Sequence, residues 1–160
     1  MVRFYVPRIQ RIAPDRYAIA LDDDERTLLA QLVESLRDAL VGGPSDATRR
    51  LFPPGYANDP EREADYRELI GDSLLEKRLA DLDVLEQSAA ATELDEAGLS
   101  GWMGAINSMR LVLGTTLDVT EELDLDDLDE DDPRLPGLAV YQLLTGYVGE
   151  IVHALAGWDR

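Results

Sequence analysis

Cysteine is missing from all 160 residues, and that absence excludes disulfides, thiolate nucleophiles, iron–sulfur ligation and any thiol redox switch within the chain. Histidine occurs once, at His153, and lysine once, at Lys77. A single imidazole without thiolates offers no zinc constellation, so no metal site and no cofactor is expected. No G-x-S-x-G elbow, Walker loop or H-E-x-x-H pair is present, and carboxylates are too abundant to single out a catalytic couple. Catalysis therefore has no positive support. Positive charge is scarce: 15 Lys and Arg face 33 Asp and Glu, a formal net charge of −18. Such a chain repels nucleic-acid phosphates at long range, and direct nucleic-acid binding is not expected. No apolar run approaches the roughly 20 residues of a membrane span, and "MVRFYVPRIQR" at the start lacks the apolar core of a secretory signal. The expected compartment is the cytoplasm, with no membrane crossing.

What is present reads as a single domain, mainly α with an N-terminal β-hairpin (α+β), of four to five helices. Val2, Phe4 and Val6, then Tyr17, Ile19 and Leu21, alternate with a period of two, and "APDR" between them is a turn. This places a hairpin over residues 1–21, a helical region over 22–116, an acidic loop over 117–136 and a last helix over 137–156. In the helical region, Leu28, Leu29, Leu32, Val33, Leu36 and Leu40 follow the 3.6-residue period, with Asp22 to Glu25 at the positive end and Gly42, Gly43 and Pro44 closing the helix. Ser45 can cap a short turn to Leu51. Asp59 and Pro60 form an N-cap and first position, Gly71 is read as a break, and Asp72 can cap the next helix, whose leucine stripe Arg78 interrupts. Asp95 caps a helix holding Trp102 and Met109, with Gly114 as its expected terminator.

Arg110 is the residue out of place. At about 100° per position, with Leu99 at zero, Ile106 falls near −20° and Arg110 near +20°, inside the apolar arc. A guanidinium cannot shed its proton there, so burial demands a carboxylate or several carbonyls. Three readings stay open: a structural ion pair with Asn107 completing the hydrogen bonds, a partner-facing groove, and a side chain that reaches out to water. Arg78 poses the same question on its own helix. The acid-rich stretch "ELDLDDLDEDDP" invites calcium, but no register supplies both the sixth-position glycine and the twelfth-position glutamate of an EF-hand loop; a solvated, mobile loop is expected. The arginines Arg3, Arg8, Arg11 and Arg16 give the first 16 residues a charge of +3 and leave −21 for the rest. They are expected to lie against the acidic body. His153 falls opposite the apolar face of the last helix and is expected to be exposed.

With these pieces in place, the blocks "RFYVPRI" with "YAIALDDDERTLLAQLVESL", "RLFPPGYANDPEREADYRELIGDSLLEKR", "GWMGAINSMRLVLGTTL" and "VYQLLTGYVGEIVHAL" resemble the actinobacterial DUF2017 family, whose members are often labelled oxidative-stress regulators of the AosR type. The most specific step is in the third block, where Trp102, Asn107, Arg110, Leu111, Leu113 and Gly114 match the family's pattern. The resemblance implies a cytoplasmic, mostly helical regulator that acts on transcription through protein contacts, with a sigma factor as the proposed partner. The family's redox mechanism relies on a cysteine pair, which this chain lacks. The expectation is therefore a non-enzymatic interaction protein with Trp102, Asn107, Arg110 and Arg78 as structural or partner-contact residues; homo-oligomerisation is left open. The competing expectation is a small-molecule-binding protein or enzyme with a polar site around Asn107 and Arg110.

Overall fold

Among the described residues, acidic caps start three of the four α-helices, and each works through the same local chemistry. Asp22 accepts the Glu25 amide at 2.8 Å to open α1 (Asp23–Val41). Asp59 accepts the Arg62 amide at 3.2 Å, with Pro60 in the first position of α2 (Pro60–Gln87). Asp95 accepts the Gly98 amide at 2.7 Å to open α3 (Glu96–Thr116). Each cap satisfies a donor the helix leaves unpaired and puts negative charge at the positive end of the dipole. The fourth helix, α4 (Leu135–Ala156), begins after Arg134 with Pro136 in its first turn and has no side-chain cap. The computed structural model describes residues 5–43, 45–52, 55–56 and 58–157.

The hairpin exists and turns where the sequence places the turn, but its first strand begins at Ile9, beyond the alternating Val2, Phe4 and Val6. β1 (Ile9–Ala13) pairs antiparallel with β2 (Arg16–Ile19), with Ile9 opposite Ile19 and a register shift between Arg11 and Ala13. Val2 and Phe4 lie outside the described residues, and Val6 is exposed and in no strand. The turn falls at Pro14 and Asp15, where Asp15 takes the left-handed conformation with φ 57°. A third strand, β3 (Glu93–Leu94), pairs antiparallel with β2, so β2 is the middle of three. Tyr17, Ile19 and Leu21 point inward as their alternation demands.

Two glycines expected to interrupt helices do not. α2 runs 28 residues straight through Gly71, and nothing lies within 4 Å of where its Cβ would be. Glycine costs a helix only about 1 kcal/mol relative to alanine, too little to break a helix whose C-terminal part is packed. Gly114 sits inside α3, which ends two residues later at Thr116, and the ring of Tyr141 on α4 fills the space where a Cβ would be, at 3.0 Å. That glycine serves close helix packing and not termination.

α3 is the central element, flanked by α2 and α4, with α1 and the sheet closing the core. The α2–α3 seam is antiparallel and built on small residues of α3: Gly101 faces Val84, Gly104 faces the Asp81 carboxylate, and Ser108 bonds Arg78. Leu99, Trp102, Ala105 and Ile106 are fully buried on the core side. Arg37 ties α1 to α2 through Asp83 at 2.8 Å and Glu86 at 2.5 Å. α4 has 22 residues and a mean hydropathy of 1.2 over its most apolar window, enough by length and composition alone to cross a membrane, yet its Leu144, Tyr147 and Ile151 are packed in the protein core.

The acid-rich connection between α3 and α4 is partly structured. It contains a 3-10 turn at Leu125–Asp127, with Asp124 accepting the Asp126 amide at 2.9 Å, and its Leu123, Leu125 and Leu128 are half-buried while the acids between them are exposed.

Candidate functional site

The residues singled out by the sequence gather on α3 and the facing part of α2. Trp102 is fully buried, and its indole Nε1 donates to Ser88 Oγ at 2.7 Å; Ser88, the C-cap of α2, donates in turn to the Val84 carbonyl at 2.5 Å. A buried indole needs such an acceptor, and this one locks the end of α2 onto the start of α3. Arg78 is half-buried, and its Nη1 donates to Ser108 Oγ at 3.0 Å, while Ser108 itself donates to the Gly104 carbonyl at 2.8 Å. Asp81, one turn along α2, is only 7% exposed and takes Lys77 Nζ on both oxygens, at 3.0 and 3.1 Å.

Arg110 does not make the ion pair that its place in the apolar arc suggested. Its Nη2 donates to Asn107 Oδ1 at 2.9 Å, its Nε is shut away from water with no acceptor, and among the described residues no carboxylate lies within ion-pair distance. Acids are scarce on the two most apolar helices. α3 and α4 together contain only Glu96 and Glu150 as carboxylates. Glu96 is 14 residues away, roughly 21 Å along the helix axis, and Glu150 is taken by Tyr5 and the Arg8 amide. Half-burial lets part of the guanidinium stay hydrated, so the missing carboxylate costs far less than it would in the deep core. Asn107 is the one part of the expected arrangement that is present.

Two polar clusters carry chemistry that the sequence reading missed. Arg26, in the first turn of α1, donates to four carbonyls: Leu21 and Ile19 at 3.2 Å, Ala91 at 3.0 Å and Ala89 at 2.5 Å. One guanidinium thus joins β2, α1 and the α2–β3 connection, using the fork geometry that only arginine offers. The second cluster lies where the hairpin meets α1 and α4. Arg8 Nε pairs with Glu25 at 2.8 Å, its guanidinium lies 6.0 Å from the centre of the Tyr147 ring, and its backbone amide donates to Glu150 at 3.3 Å, as does the Tyr5 hydroxyl. Burial, and then the negative charge of Glu25, push the Tyr147 hydroxyl well above the usual phenol range. Its hydroxyl oxygen and one oxygen each of Glu25 and Glu150 are enclosed without a hydrogen-bond partner.

Two of the four arginines expected to lie against the acidic body do so: Arg8 meets Glu25, and Arg16 meets Glu93 at 2.9 Å; Arg11 is exposed and in no ion pair among the described residues, and Arg3 lies outside them. His153 is exposed. Among the described residues no three acidic or imidazole side chains are placed to hold a metal ion. A cavity of about 260 Å³ opens between the end of α1, Phe52 and the first half of α2, and one of about 140 Å³ between α1 and α3; neither is lined by Asn107 or Arg110.

No curated protein and no solved structure matches the chain significantly. The model of one family, described as a domain of unknown function (DUF2017), matches residues 8–155, nearly the whole chain, and the protein therefore belongs to that family.

Proposed function

We propose that the chain is a non-enzymatic, cytoplasmic interaction protein that meets a basic face of a protein partner with its acidic surface. The observation that carries the reading is the connection between α3 and α4. Residues 118–132 hold ten carboxylates and no base, all exposed but Asp132, interspersed with three half-buried leucines. Acids arranged on a partly structured base steer and orient a basic partner, giving fast and specific association more than raw affinity. The resemblance to oxidative-stress regulators of the AosR type narrows the proposal to transcriptional control, with a sigma factor or another transcription component as the partner. Without cysteine the trigger is not a disulfide, so partner binding is either constitutive or set by another signal. The competing reading, an enzyme or small-molecule sensor built around Asn107 and Arg110, draws no support from either cavity. The test is co-purification of the tagged full chain from its native cytoplasm, with proteins identified by mass and the washes run at low and high ionic strength. A basic partner held at low salt and released at high salt is the expected result. Retention that ignores salt, or capture of a metabolite with no protein, would overturn the reading.

A further inference from the structure

The larger cavity, of about 260 Å³, is walled by Leu40 at the end of α1, by Phe52, and by Leu74 and Leu75 of α2, with Gly71 among them. α2 contributes one stripe: with Gly71 at zero, Arg67 falls near −40°, Leu74 near −60° and Leu75 near +40°, at about 100° per position. Gly71 is the unusual member. A glycine inside a helix costs stability, and Gly101, Gly104 and Gly114 each make room for a neighbouring side chain. Gly146 and Gly149 are open to solvent. Gly71 is half-buried and lines the cavity, yet nothing in the protein comes within 4 Å of where its Cβ would be. We propose that this cavity binds a small amphipathic amine, its apolar body against Gly71 and its ammonium group on Asp72.

The charges around the cavity select a cation. Asp72 lines it, and the four residues on either side of Asp72 hold no base. The nearest bases along α2 are engaged: Arg67, which also lines the cavity, is held by Glu63 at 3.0 Å, and Lys77 by Asp81 at 3.0 Å. Glu68 and Glu76, one turn either way, fall near +60° and +140° against about +100° for Asp72, so three carboxylates form a row beside the cavity stripe. All three are exposed, and none makes an ion pair among the described residues. Like charges at this spacing repel one another, and an ammonium group at Asp72 relieves that repulsion, whereas an anion meets the row as a barrier. The walls select the body: Leu40, Phe52, Leu74 and Leu75 offer it no hydrogen bond. A volume of about 260 Å³ takes roughly nine non-hydrogen atoms, at the ~30 Å³ that one water occupies in the liquid, which is the size of a ring carrying a short amine arm. The inference does not rest on the acidic-surface reading and stands or falls separately from it.

The experiment titrates the full-length chain with phenethylamine at constant low ionic strength and neutral pH, where the amine is protonated, and follows the backbone amides by NMR. Phenethyl alcohol and phenylacetate present nearly the same body with no charge and with a negative charge. The expected result is a saturable displacement of the Gly43 and Gly71 amides by the amine, with a dissociation constant on the order of 1 mM. The alcohol should bind about three- to fivefold more weakly, the worth of one exposed ion pair, and phenylacetate more weakly still. Gly71→Leu puts a side chain into the empty space and removes no contact, so that variant should resist urea better than the natural chain and lose saturable binding. Asp72→Asn should leave the affinity for the alcohol as it is and lower that for the amine to match; it carries the test with the displaced amides of the natural chain if Gly71→Leu does not fold. No saturable displacement at Gly43 and Gly71, or binding unchanged in Gly71→Leu, would overturn the cavity as the site. The alcohol or phenylacetate binding as tightly as the amine would overturn the assignment to an amine.

Discussion

Changing glycine to alanine adds the same methyl group at every position, so a series of such changes separates packing from helix propensity. At Gly146 and Gly149, on the exposed side of α4, nothing lies within 4 Å of the added carbon. There alanine should stabilise by up to about 1 kcal/mol, the propensity difference, which raises Tm by roughly 2–4 °C for a chain of this size. At Gly104 the added carbon would overlap the Asp81 carboxylate, and at Gly101 it would come within 2.6 Å of Val84 Cγ1. Overpacking costs typically about 1–3 kcal/mol, so the two seam substitutions should lose stability even after the propensity gain, and the gap between the α3 and α4 pairs should be about 1–3 kcal/mol. Urea unfolding of the four variants measures this directly. Asp81→Ala supplies the internal control: it removes the obstacle at Gly104, so Gly104→Ala should be tolerated in that background and the double-mutant cycle should show strong coupling. If Gly104→Ala proved as stable as Gly146→Ala, α2 and α3 would not approach at this seam as described.

Arg26→Ala removes all four carbonyl contacts at once and should destabilise the chain by about 2–4 kcal/mol in denaturant unfolding; a loss under about 0.5 kcal/mol would show that those carbonyls are content with water. Tyr147→Phe deletes an enclosed hydroxyl that has no hydrogen-bond partner, so at neutral pH stability should change by less than about 1 kcal/mol, whereas a loss above about 2 kcal/mol would reveal a bond to Glu25. The same tyrosine sets an alkaline limit. Its folded-state hydroxyl holds its proton above the ordinary value of 10.0, so the unfolded chain releases that proton first, and stability should be intact below pH 10 and fall as pH rises beyond it. Tyr147→Phe should flatten that decline; an unchanged slope would assign it to other groups.

The sequence was most legible where the physics is local. Asp22, Asp59 with Pro60, and Asp95 cap helices through contacts three residues long, and Tyr17, Ile19 and Leu21 reveal their strand because one face is buried. β1 was hidden because only Ile9 of its five residues is buried, leaving no alternation to read, and β3 is two residues long. Gly71 and Gly114 were misjudged because tertiary packing overrides a penalty of about 1 kcal/mol. The solitary state of Arg110 depends on which acids reach it in space, although the near absence of carboxylates from α3 and α4 was there to be noticed. Arg26 offered no signal at all, since its acceptors are backbone carbonyls drawn from separate segments.

The claim that the acidic connection is the working surface is tested most directly by the affinity for the captured partner measured across a range of salt, for the natural chain and for a variant with Asp126, Asp127, Asp129 and Glu130 changed to their amides. Affinity should fall steeply with salt for the natural chain, and the variant should bind more weakly with a shallower slope. Equal affinity and equal slope for the two chains would contradict the account.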